Sequence, residues 1–172
     1  VHLPAEWYPQ SAVQLTWPHA HTDWAPILQE VESCYIRMAM EIASRERLII
    51  VTPEPEHVEA LLHTYLPSTA LLNISLHQMP TNDTWARDHG FITVRQGGTP
   101  SDAPTEAGSD LILHDYCFNG WGMKFAANLD NQINQTLFDT DVLADNDLLT
   151  LWDAQYRSRR NRVLEGGSVE SD

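Results

Sequence analysis

Seven polar or charged side chains and one indole fall within ten consecutive residues, Thr81–Gly90. The run Leu72–Leu76 before this segment alternates apolar with polar residues, and the run Phe91–Val94 after it is mostly apolar. Both runs are typical of short strands. The polar cluster is therefore predicted to lie at the rim of a sheet, between two strands.

This cluster supports two interpretations. An aromatic ring beside carboxylates at a strand end suits an organic cation, with Trp85 near Asp83 and Asp88. Ion pairing of Arg87 with Asp83 or Asp88 would only fix the loop, because charges also gather in structural networks. The residues alone leave both interpretations open.

The composition limits the classes of function. The 172 residues suffice for one domain with a core, and 42% of them are hydrophobic. A formal net charge of −14, from 24 acidic and 10 basic residues, argues against nucleic acid and is compatible with a small cationic substrate. Two cysteines cannot form a disulfide framework, which favours the cytoplasm. We expect no membrane span and no signal peptide.

A metal site is conceivable but weakly indicated. His19 and His21 with Asp23 lie in a predicted turn. Zinc ligands follow more specific spacings than this one. Ordinary loop contacts are the favoured interpretation, and no metal is predicted.

Hydrophobic periodicity predicts alternating strands and helices. Strands are expected at Ala12–Trp17, Leu48–Thr52, Leu72–Leu76, Phe91–Val94, Asp110–Phe118 and Val163–Leu164. Helices are expected at Ala25–Arg45, from Pro53 and Pro55 through Tyr65 to a point before Pro67, and at Asn128–Leu137. Other segments are an extended arm (residues 1–11), an exposed hairpin tip (Gln96–Ser109), a turn with an exposed indole (Asn119–Gly122) and a surface excursion (Asp139–Arg162). The order indicates repeated small mixed sheets flanked by helices, with Leu48–Thr52 central and Cys34 packed within the first helix.

Three motifs together resemble the agmatine deiminase family, which is grouped with the bacterial-type peptidylarginine deiminases. They are Asn82–Asp88 (NDTWARD), Phe118–Gly122 (FNGWG) and Leu164–Glu170 (LEGGSVE). The opening Pro4–Trp7 and the stretch Leu15–His19 look similar as well, so the likeness spans nearly the whole chain. One departure is Met123, where relatives often carry a second glycine.

The resemblance implies an α/β fold of the pentein type, a five-bladed αβ propeller of which about half of the blades are present. Residues 1–172 would then be the N-terminal portion of a single deiminase domain, without the family's C-terminal half. Family members carry a His-x-Asp motif and a nucleophilic Cys in that half. Neither Cys34 nor Cys117 matches this nucleophile, and His114-Asp115 lacks the spacing. The chain alone is expected to be inactive.

The resemblance also implies roles for individual residues. Asp88 matches the aspartate that grips two guanidinium nitrogens, and Glu165 matches the acidic residue that orients the catalytic histidine. Trp85 would stack on the substrate, and Trp121 is a weaker candidate for the same wall. A loop ion pair at Asp88, a strand-end acceptor at Glu165 and core packing of the tryptophans are the structural alternatives.

The implied reaction converts agmatine and water to N-carbamoylputrescine and ammonia, with no metal or organic cofactor. Peptidyl-arginine or free-arginine deimination is an alternative, since a substrate carboxylate would need a cation such as Arg95 or Lys124. A non-catalytic domain that binds a guanidinium or an amine is a third possibility. The expected partner is a small cationic guanidinium compound, with no nucleic acid or membrane, and the oligomeric state, a homo-oligomer included, stays open.

Overall fold

Two three-stranded sheets, each in its own unit of the chain, organise this computed structural model, which describes residues 1–97, 111–140 and 154–171. The parallel unit comprises Ala12–Ala86 with Asn128–Asp130, and the mixed unit comprises the described parts of Val1–Ser11, Arg87–Ala127 and Asn131–Asp172.

The parallel unit alternates strands with helices. Its elements are β1 (Val13–Thr16), a 3₁₀ turn (Ala25–Ile27), α1 (Leu28–Ala43), β2 (Leu48–Thr52), α2 (Pro55–Tyr65), α3 (Ser68–Leu71) and β3 (Ile74–Gln78). The strands pair in parallel in the order β1-β2-β3, so β2 is central, as the sequence predicts. All five residues of β2 are buried, which agrees with its β-branched, apolar composition. The core is apolar and includes Trp17, Leu48, Ile50, Val58 and Leu62.

The mixed unit contains one antiparallel and one parallel strand pair. Its elements are β4 (Ile92–Arg95), β5 (Leu111–Cys117) and β6 (Gln155–Val163), with a closing 3₁₀ turn (Gly166–Ser168). Helix α4 (Ala86–His89) begins at the last residue of the parallel unit, and helix α5 (Asp130–Asp139) begins likewise at Asp130. β4 pairs antiparallel with β5, and β5 pairs in parallel with β6. The predicted N-terminal arm adds one antiparallel bridge, between His2 and Arg95.

Most elements confirm the sequence predictions, and two differ. The strand predicted at Leu72–Leu76 lies at Ile74–Gln78, because α3 occupies the residues just before it and leaves Leu72 exposed. The surface excursion predicted at Asp139–Arg162 is wrong for its last part, since Gln155–Val163 forms β6. That strand carries almost no apolar residues because it lies at the edge of its sheet. The predicted hairpin tip lies almost entirely outside the described residues.

No helix within the described ranges is both long enough and apolar enough to cross a membrane.

Candidate functional site

Asp88 lies on the single helical turn α4, and contacts with distant residues of the mixed unit fix this turn. The side-chain amide of Asn134 on α5 donates to the His89 carbonyl oxygen at 2.8 Å. Arg87 Nη2 donates to the Val169 carbonyl oxygen at 2.8 Å and to Glu6 Oε1 at 3.1 Å. The turn is therefore held on both sides of Asp88: the His89 carbonyl accepts from a distant side chain, and the Arg87 side chain binds two distant residues.

The alternative interpretation, in which Arg87 pairs with Asp83 or Asp88 to fix the loop, is wrong. Its ion pair is formed with Glu6, an exposed residue of the N-terminal arm, and not with Asp83 or Asp88. An exposed pair of this kind contributes little to stability. The carboxylate of Asp88 consequently does not serve to neutralise its neighbour in the chain.

The Glu-Gly-Gly motif packs directly on the turn that carries Asp88. The Gly167 backbone N–H donates to Asp88 Oδ1 at 3.0 Å. A Cβ atom at Gly166 would lie 2.0 Å from the Arg87 carbonyl oxygen, so only glycine allows this approach. Two of the three motifs noted in the sequence thus meet in space, and Glu165 immediately precedes the contact.

Both carboxylates retain acceptor capacity. Among the described residues, no donor reaches Asp88 Oδ2 or the carboxylate of Glu165, and both residues are half-buried. A half-buried carboxylate with a free oxygen can accept a hydrogen bond from a planar cation, and a guanidinium carries five donors in a fixed geometry. The arrangement is suited to recognition of such a group.

A buried network of polar side chains lies in the same unit as Asp88 and Glu165. Asp115, 1% exposed, accepts from Tyr156 Oη and from Arg160 Nε, both at 2.7 Å. Its other oxygen accepts from Asn134 Nδ2 at 2.9 Å. Since Asn134 also holds the His89 carbonyl, the network connects β5 and β6 to the turn of Asp88.

Burial alters the protonation of two residues in this region. It lowers the pKa of His89 to about 4, so the imidazole is neutral near pH 7. Burial raises the pKa of Tyr156 to about 12, and its hydrogen bond to Asp115 acts in the same direction. The phenol therefore remains a donor to Asp115 over the whole physiological range.

The sequence did not reveal this network. Asp115 follows His114 in an otherwise apolar run, and a carboxylate inside a predicted strand was the available signal. Its partners, Tyr156 and Arg160, lie in the segment interpreted as a surface excursion. Without that strand the carboxylate had no visible partner.

Trp121 lies in a left-handed turn, Gly120–Met123, in which all four residues have positive φ. A Cβ at Gly120 would lie 2.2 Å from the Phe125 carbonyl oxygen, so this position requires glycine for space as well as for its φ of 60°. The indole contacts Phe118 and Phe125 edge-on, at centroid distances of 5.0 and 5.6 Å. It is half-buried, so the predicted turn is present but its indole is less exposed than expected.

Trp85 belongs to the parallel unit, because the boundary between the units falls between Ala86 and Arg87. The residue is 44% exposed, and its ring lies 6.0 Å from that of Trp24. The structure thus brings the Asp88 and Glu165 motifs together within one unit, and it places Trp85 on the other.

The first residues of the Trp85 motif have a structural role. Asn82 Oδ1 accepts from the Leu129 N–H at 2.7 Å, and Asp130 Oδ1 accepts from the Asn82 N–H at 2.7 Å. Asn82 Oδ1 also accepts from the Asp130 N–H at 3.3 Å, so the two side chains bind each other's main chain, as in a capping box. Burial raises the pKa of Asp130 to about 6.

The histidines considered as metal ligands make ordinary contacts. His19 is buried, and its Nε2 lies 3.0 Å from Thr81 Oγ1. Burial lowers its pKa. Within the part of the chain that the structure describes, no group of three or more His, Cys, Asp or Glu side chains is placed to hold a metal ion.

Comparison with known proteins connects this site to a family. Residues 2–172 match the family model of the Porphyromonas-type peptidyl-arginine deiminases. The chain belongs to this family. The resemblance stated from the three motifs is therefore confirmed.

Individual relatives agree with this assignment. A candidate agmatine deiminase of Legionella pneumophila (strain Philadelphia 1) is 30% identical over an alignment of 175 residues, which covers 99% of this chain and 42% of that protein. The agmatine deiminase of Pseudomonas syringae pv. tomato is 25% identical, over 99% of this chain and 41% of its own length. The chain thus spans about two fifths of the length of the curated relatives it matches.

Solved structures confirm the predicted fold class. The candidate arginine deiminase of Porphyromonas gingivalis matches 99% of this chain and 44% of its own, with 40% identity and a TM-score of 0.74. A cysteine-to-serine variant of the C. jejuni agmatine deiminase, solved with substrate bound, matches with 26% identity and a TM-score of 0.74, over 97% of this chain and 41% of its own. The α/β fold of the chain is that of part of the pentein-type deiminases.

Proposed function

We propose that the protein containing this chain hydrolyses a guanidinium group, converting agmatine and water to N-carbamoylputrescine and ammonia. Family membership and the agmatine deiminases among its relatives support this proposal. The observation that carries it is the contact between the Glu-Gly-Gly motif and the turn of Asp88, with the hydrogen bond from Gly167 N–H to Asp88 Oδ1.

In this proposal Asp88 binds the guanidinium and Glu165 supports the proton-transferring histidine. Asp88 Oδ1 is already oriented by Gly167, so its second oxygen can accept from the substrate without a loss of side-chain freedom. A charge-assisted hydrogen bond of this kind is among the strongest that a side chain makes. Trp85 and Trp121 are proposed as aromatic surfaces for the flat cation or its alkyl chain.

Neither cysteine of this chain suits the nucleophile. Cys117 ends β5, and its thiol lies 3.7 Å from the Phe118 carbonyl oxygen. Cys34 lies on α1 of the parallel unit and is exposed, contrary to the prediction that it packs within the first helix. We therefore propose that residues 1–172 act as the N-terminal portion of a deiminase domain, and that the Cys thiolate and the histidine come from the portion of the relatives' length that this chain does not span.

The test is ammonia release from agmatine by the full-length protein and its Asp88→Asn variant. Removing the charge while keeping the shape should lower kcat/KM by on the order of 10²- to 10³-fold, the loss expected for one charge-assisted contact. Asp139→Asn, which neutralises an exposed carboxylate on α5 of the same unit, is the matched control and should retain wild-type turnover. Wild-type activity in the Asp88 variant would refute the assigned role.

An arginine substrate is the second candidate, because the family name and the Porphyromonas gingivalis structure refer to arginine deimination. The two substrates differ at the carboxylate, which needs a cation. Arg95 is not suited to this role, since it is 3% exposed, donates to Tyr8 Oη at 2.7 Å and lies over the Tyr8 ring. Lys124 is exposed and remains the candidate within the described residues.

Turnover of agmatine, free arginine and a C-terminal arginyl peptide, measured side by side, separates these candidates. If arginine is the substrate, Lys124→Met should lower kcat/KM for arginine and leave agmatine turnover unchanged. An agmatine preference with no effect of Lys124→Met would favour the first proposal.

A further inference from the structure

Asn134 is a buried polar side chain to which the proposed function gives no role. It lies on α5 and is 1% exposed, as are the apolar residues Ile133 (1%) and Leu137 (0%) of the same helix. The buried positions of an amphipathic helix normally carry apolar side chains, because a buried amide loses its hydrogen bonds to water. The reason for an amide at position 134 must therefore lie in its contacts.

The two hydrogens of the Asn134 side-chain amide have separate acceptors. Nδ2 donates to the His89 carbonyl oxygen at 2.8 Å and to Asp115 Oδ1 at 2.9 Å. A carboxamide NH₂ group carries two hydrogens, so this donor group is fully used. Among the described residues, no donor reaches Asn134 Oδ1, although this atom is buried. The contribution of the side chain therefore lies in its donor group, which joins one carbonyl and one carboxylate.

Asp115 holds this amide in a fixed orientation. Its second oxygen, Oδ2, accepts from Tyr156 Oη and from Arg160 Nε, both at 2.7 Å. Arg160 also donates through Nη2 to the main-chain carbonyl oxygen of Asn131, three residues before Asn134 on α5. The carboxylate is thus held by two side chains of β6. The amide that it orients cannot rotate without losing a charge-assisted hydrogen bond.

The other hydrogen of the amide acts on the main chain next to Asp88. The His89 carbonyl belongs to the last residue of the single turn α4, and carbonyls at the end of a helix lack a donor within the helix. Asn134 supplies that donor. Before Asp88, the Arg87 carbonyl oxygen lies so close to Gly166 that an added Cβ atom would be 2.0 Å from it. The carbonyl groups of the residues before and after Asp88 are therefore both held, one by close packing and one by a hydrogen bond.

We propose that Asn134 is a positioning residue for Asp88. Its hydrogen bond to the His89 carbonyl sets the main chain at Asp88, and Gly167 N–H, which donates to Asp88 Oδ1 at 3.0 Å, completes the orientation of the carboxylate. Without Asn134 the carboxylate would adopt several orientations, and binding a planar cation would first require that it be reordered. The consequence for catalysis rests on the proposed function, whereas the positioning of Asp88 does not.

Amide hydrogen exchange tests the positioning independently of activity. The full-length protein carries isotope-labelled glycine, and NMR follows exchange at Gly167 and Gly122. Gly122 N–H donates to Asn119 Oδ1 at 2.9 Å in the same unit, so it is a matched reference. Asn134→Leu, which approximately keeps the side-chain volume and removes both donors, should speed exchange at Gly167 about fivefold or more and leave Gly122 unchanged. Unchanged exchange at Gly167, or an equal increase at both glycines, would overturn the proposal.

Steady-state kinetics test the consequence for the reaction. In Asn134→Leu the KM for agmatine should rise about tenfold, because a disordered Asp88 binds the cation less well. A purely structural role would reduce the amount of folded enzyme and leave KM unchanged. Gln135→Leu, at an exposed position of the same helix, is the matched control and should keep the wild-type constants. If Asn134→Leu does not fold, Asn134→Ser, which is smaller and too short to reach both acceptors, takes its place in both experiments.

A double variant shows whether Asn134 acts through Asp88. Asn134→Leu should lower kcat/KM about tenfold or more when Asp88 is present, and less than about twofold in the Asp88→Asn background. An equal loss in both backgrounds would refute action through Asp88. The two proposals can also fail separately. A protein that releases no ammonia from agmatine or arginine would refute the proposed function, and exchange at Gly167 would still decide the positioning role. Active enzyme with unchanged Gly167 exchange in Asn134→Leu would refute only the positioning role.

Discussion

The two units of this chain stabilise similar three-stranded sheets by different means. In the parallel unit the central strand β2 is entirely buried and almost entirely apolar. In the mixed unit the central strand β5 buries His114 and Asp115, and Asp115 binds Tyr156 and Arg160 on the neighbouring strand. One sheet therefore depends on apolar burial and the other depends in part on directed polar contacts.

This difference matters for function because the two kinds of contact constrain geometry differently. Apolar burial is non-directional and tolerates small shifts of side chains. A satisfied network of buried hydrogen bonds specifies one arrangement of its members. The network of Asp115 includes Asn134, which holds the turn of Asp88. The directed contacts of this sheet therefore extend to the turn that carries Asp88, the carboxylate proposed to bind the guanidinium.

The strongest test of the comparison is Asp115→Ala. It would leave the Arg160 Nε–H, the Tyr156 hydroxyl and one Asn134 donor without their acceptor, which should cost about 4 kcal/mol. Hydrogen exchange should show this loss in β5 and β6, with β1–β3 less affected. Asp115→Asn, which keeps an oxygen acceptor, should cost less. A cost below about 1 kcal/mol for Asp115→Ala would contradict a role for the network in stability.

The corresponding change in the parallel unit is Ile50→Ala, at the centre of β2. Ile50 is fully buried, so the lost burial and the resulting cavity should cost about 4 kcal/mol. Ile50→Val removes one methylene and should cost about 1 kcal/mol. Both losses should appear in the exchange of β1–β3 amides and be independent of pH and salt. A marked salt dependence would show that charges also contribute to this core.

Opposite responses to pH should distinguish the units further. His89, in the mixed unit, has its pKa lowered from 6.5 to about 4 by burial. As the pH falls from 6.5 to 4, the unfolded chain binds a proton that the folded chain does not, so stability falls by up to about 3 kcal/mol. Asp130, in the parallel unit, has its pKa raised from 3.8 to about 6, so its contribution falls as the pH rises through that interval.

Asp130→Asn isolates the second effect. The amide oxygen can still accept from the Asn82 N–H, while the titrating group is removed. The variant should be more stable than wild type at pH 7 and should lose stability only on acidification, followed by urea denaturation between pH 4 and 7. Equal pH profiles for variant and wild type would contradict the assigned pKa of Asp130.

The same contrast explains what the sequence could predict. The sequence Leu48–Thr52 predicts a central strand, because its residues are mostly apolar and β-branched. Gln155–Val163 also forms a strand, but the residue types of its inward side chains, Tyr156 and Arg160, are typical of a surface loop. These side chains are satisfied by hydrogen bonds to Asp115, which is some 40 residues away in the chain. Periodicity detects apolar faces, and it does not detect a polar face that is satisfied by a distant partner.

The candidate site was likewise predictable from the sequence in part. The motifs containing Asp88 and Glu165 identify residues that the fold brings into contact through Gly167. The supporting role of Asn134 carried no local signal, since an asparagine in a polar helix usually faces solvent. The roles of Asp88 and Glu165 in binding and catalysis stay predictions until their variants are assayed.

The smallest expected effect concerns strain, which is also confined to one unit. Every described residue with positive φ lies in the mixed unit, and Met123 (φ 65°) is one of two that are not glycine. An L-residue in this conformation costs about 1–2 kcal/mol, and Met123 is 87% exposed, so its side chain contributes little burial in return.

Met123→Gly should relieve this strain. The greater entropy of glycine in the unfolded chain offsets part of the effect, so the free energy of unfolding should rise by about 0.5–1 kcal/mol. Gly122→Ala, at φ 81° with nothing within 4 Å of the added methyl, should lose about 1 kcal/mol and serves as the reverse control. Thermal unfolding of both variants measures the pair, and a destabilised Met123→Gly would show that the exposed side chain has a contact that offsets the strain.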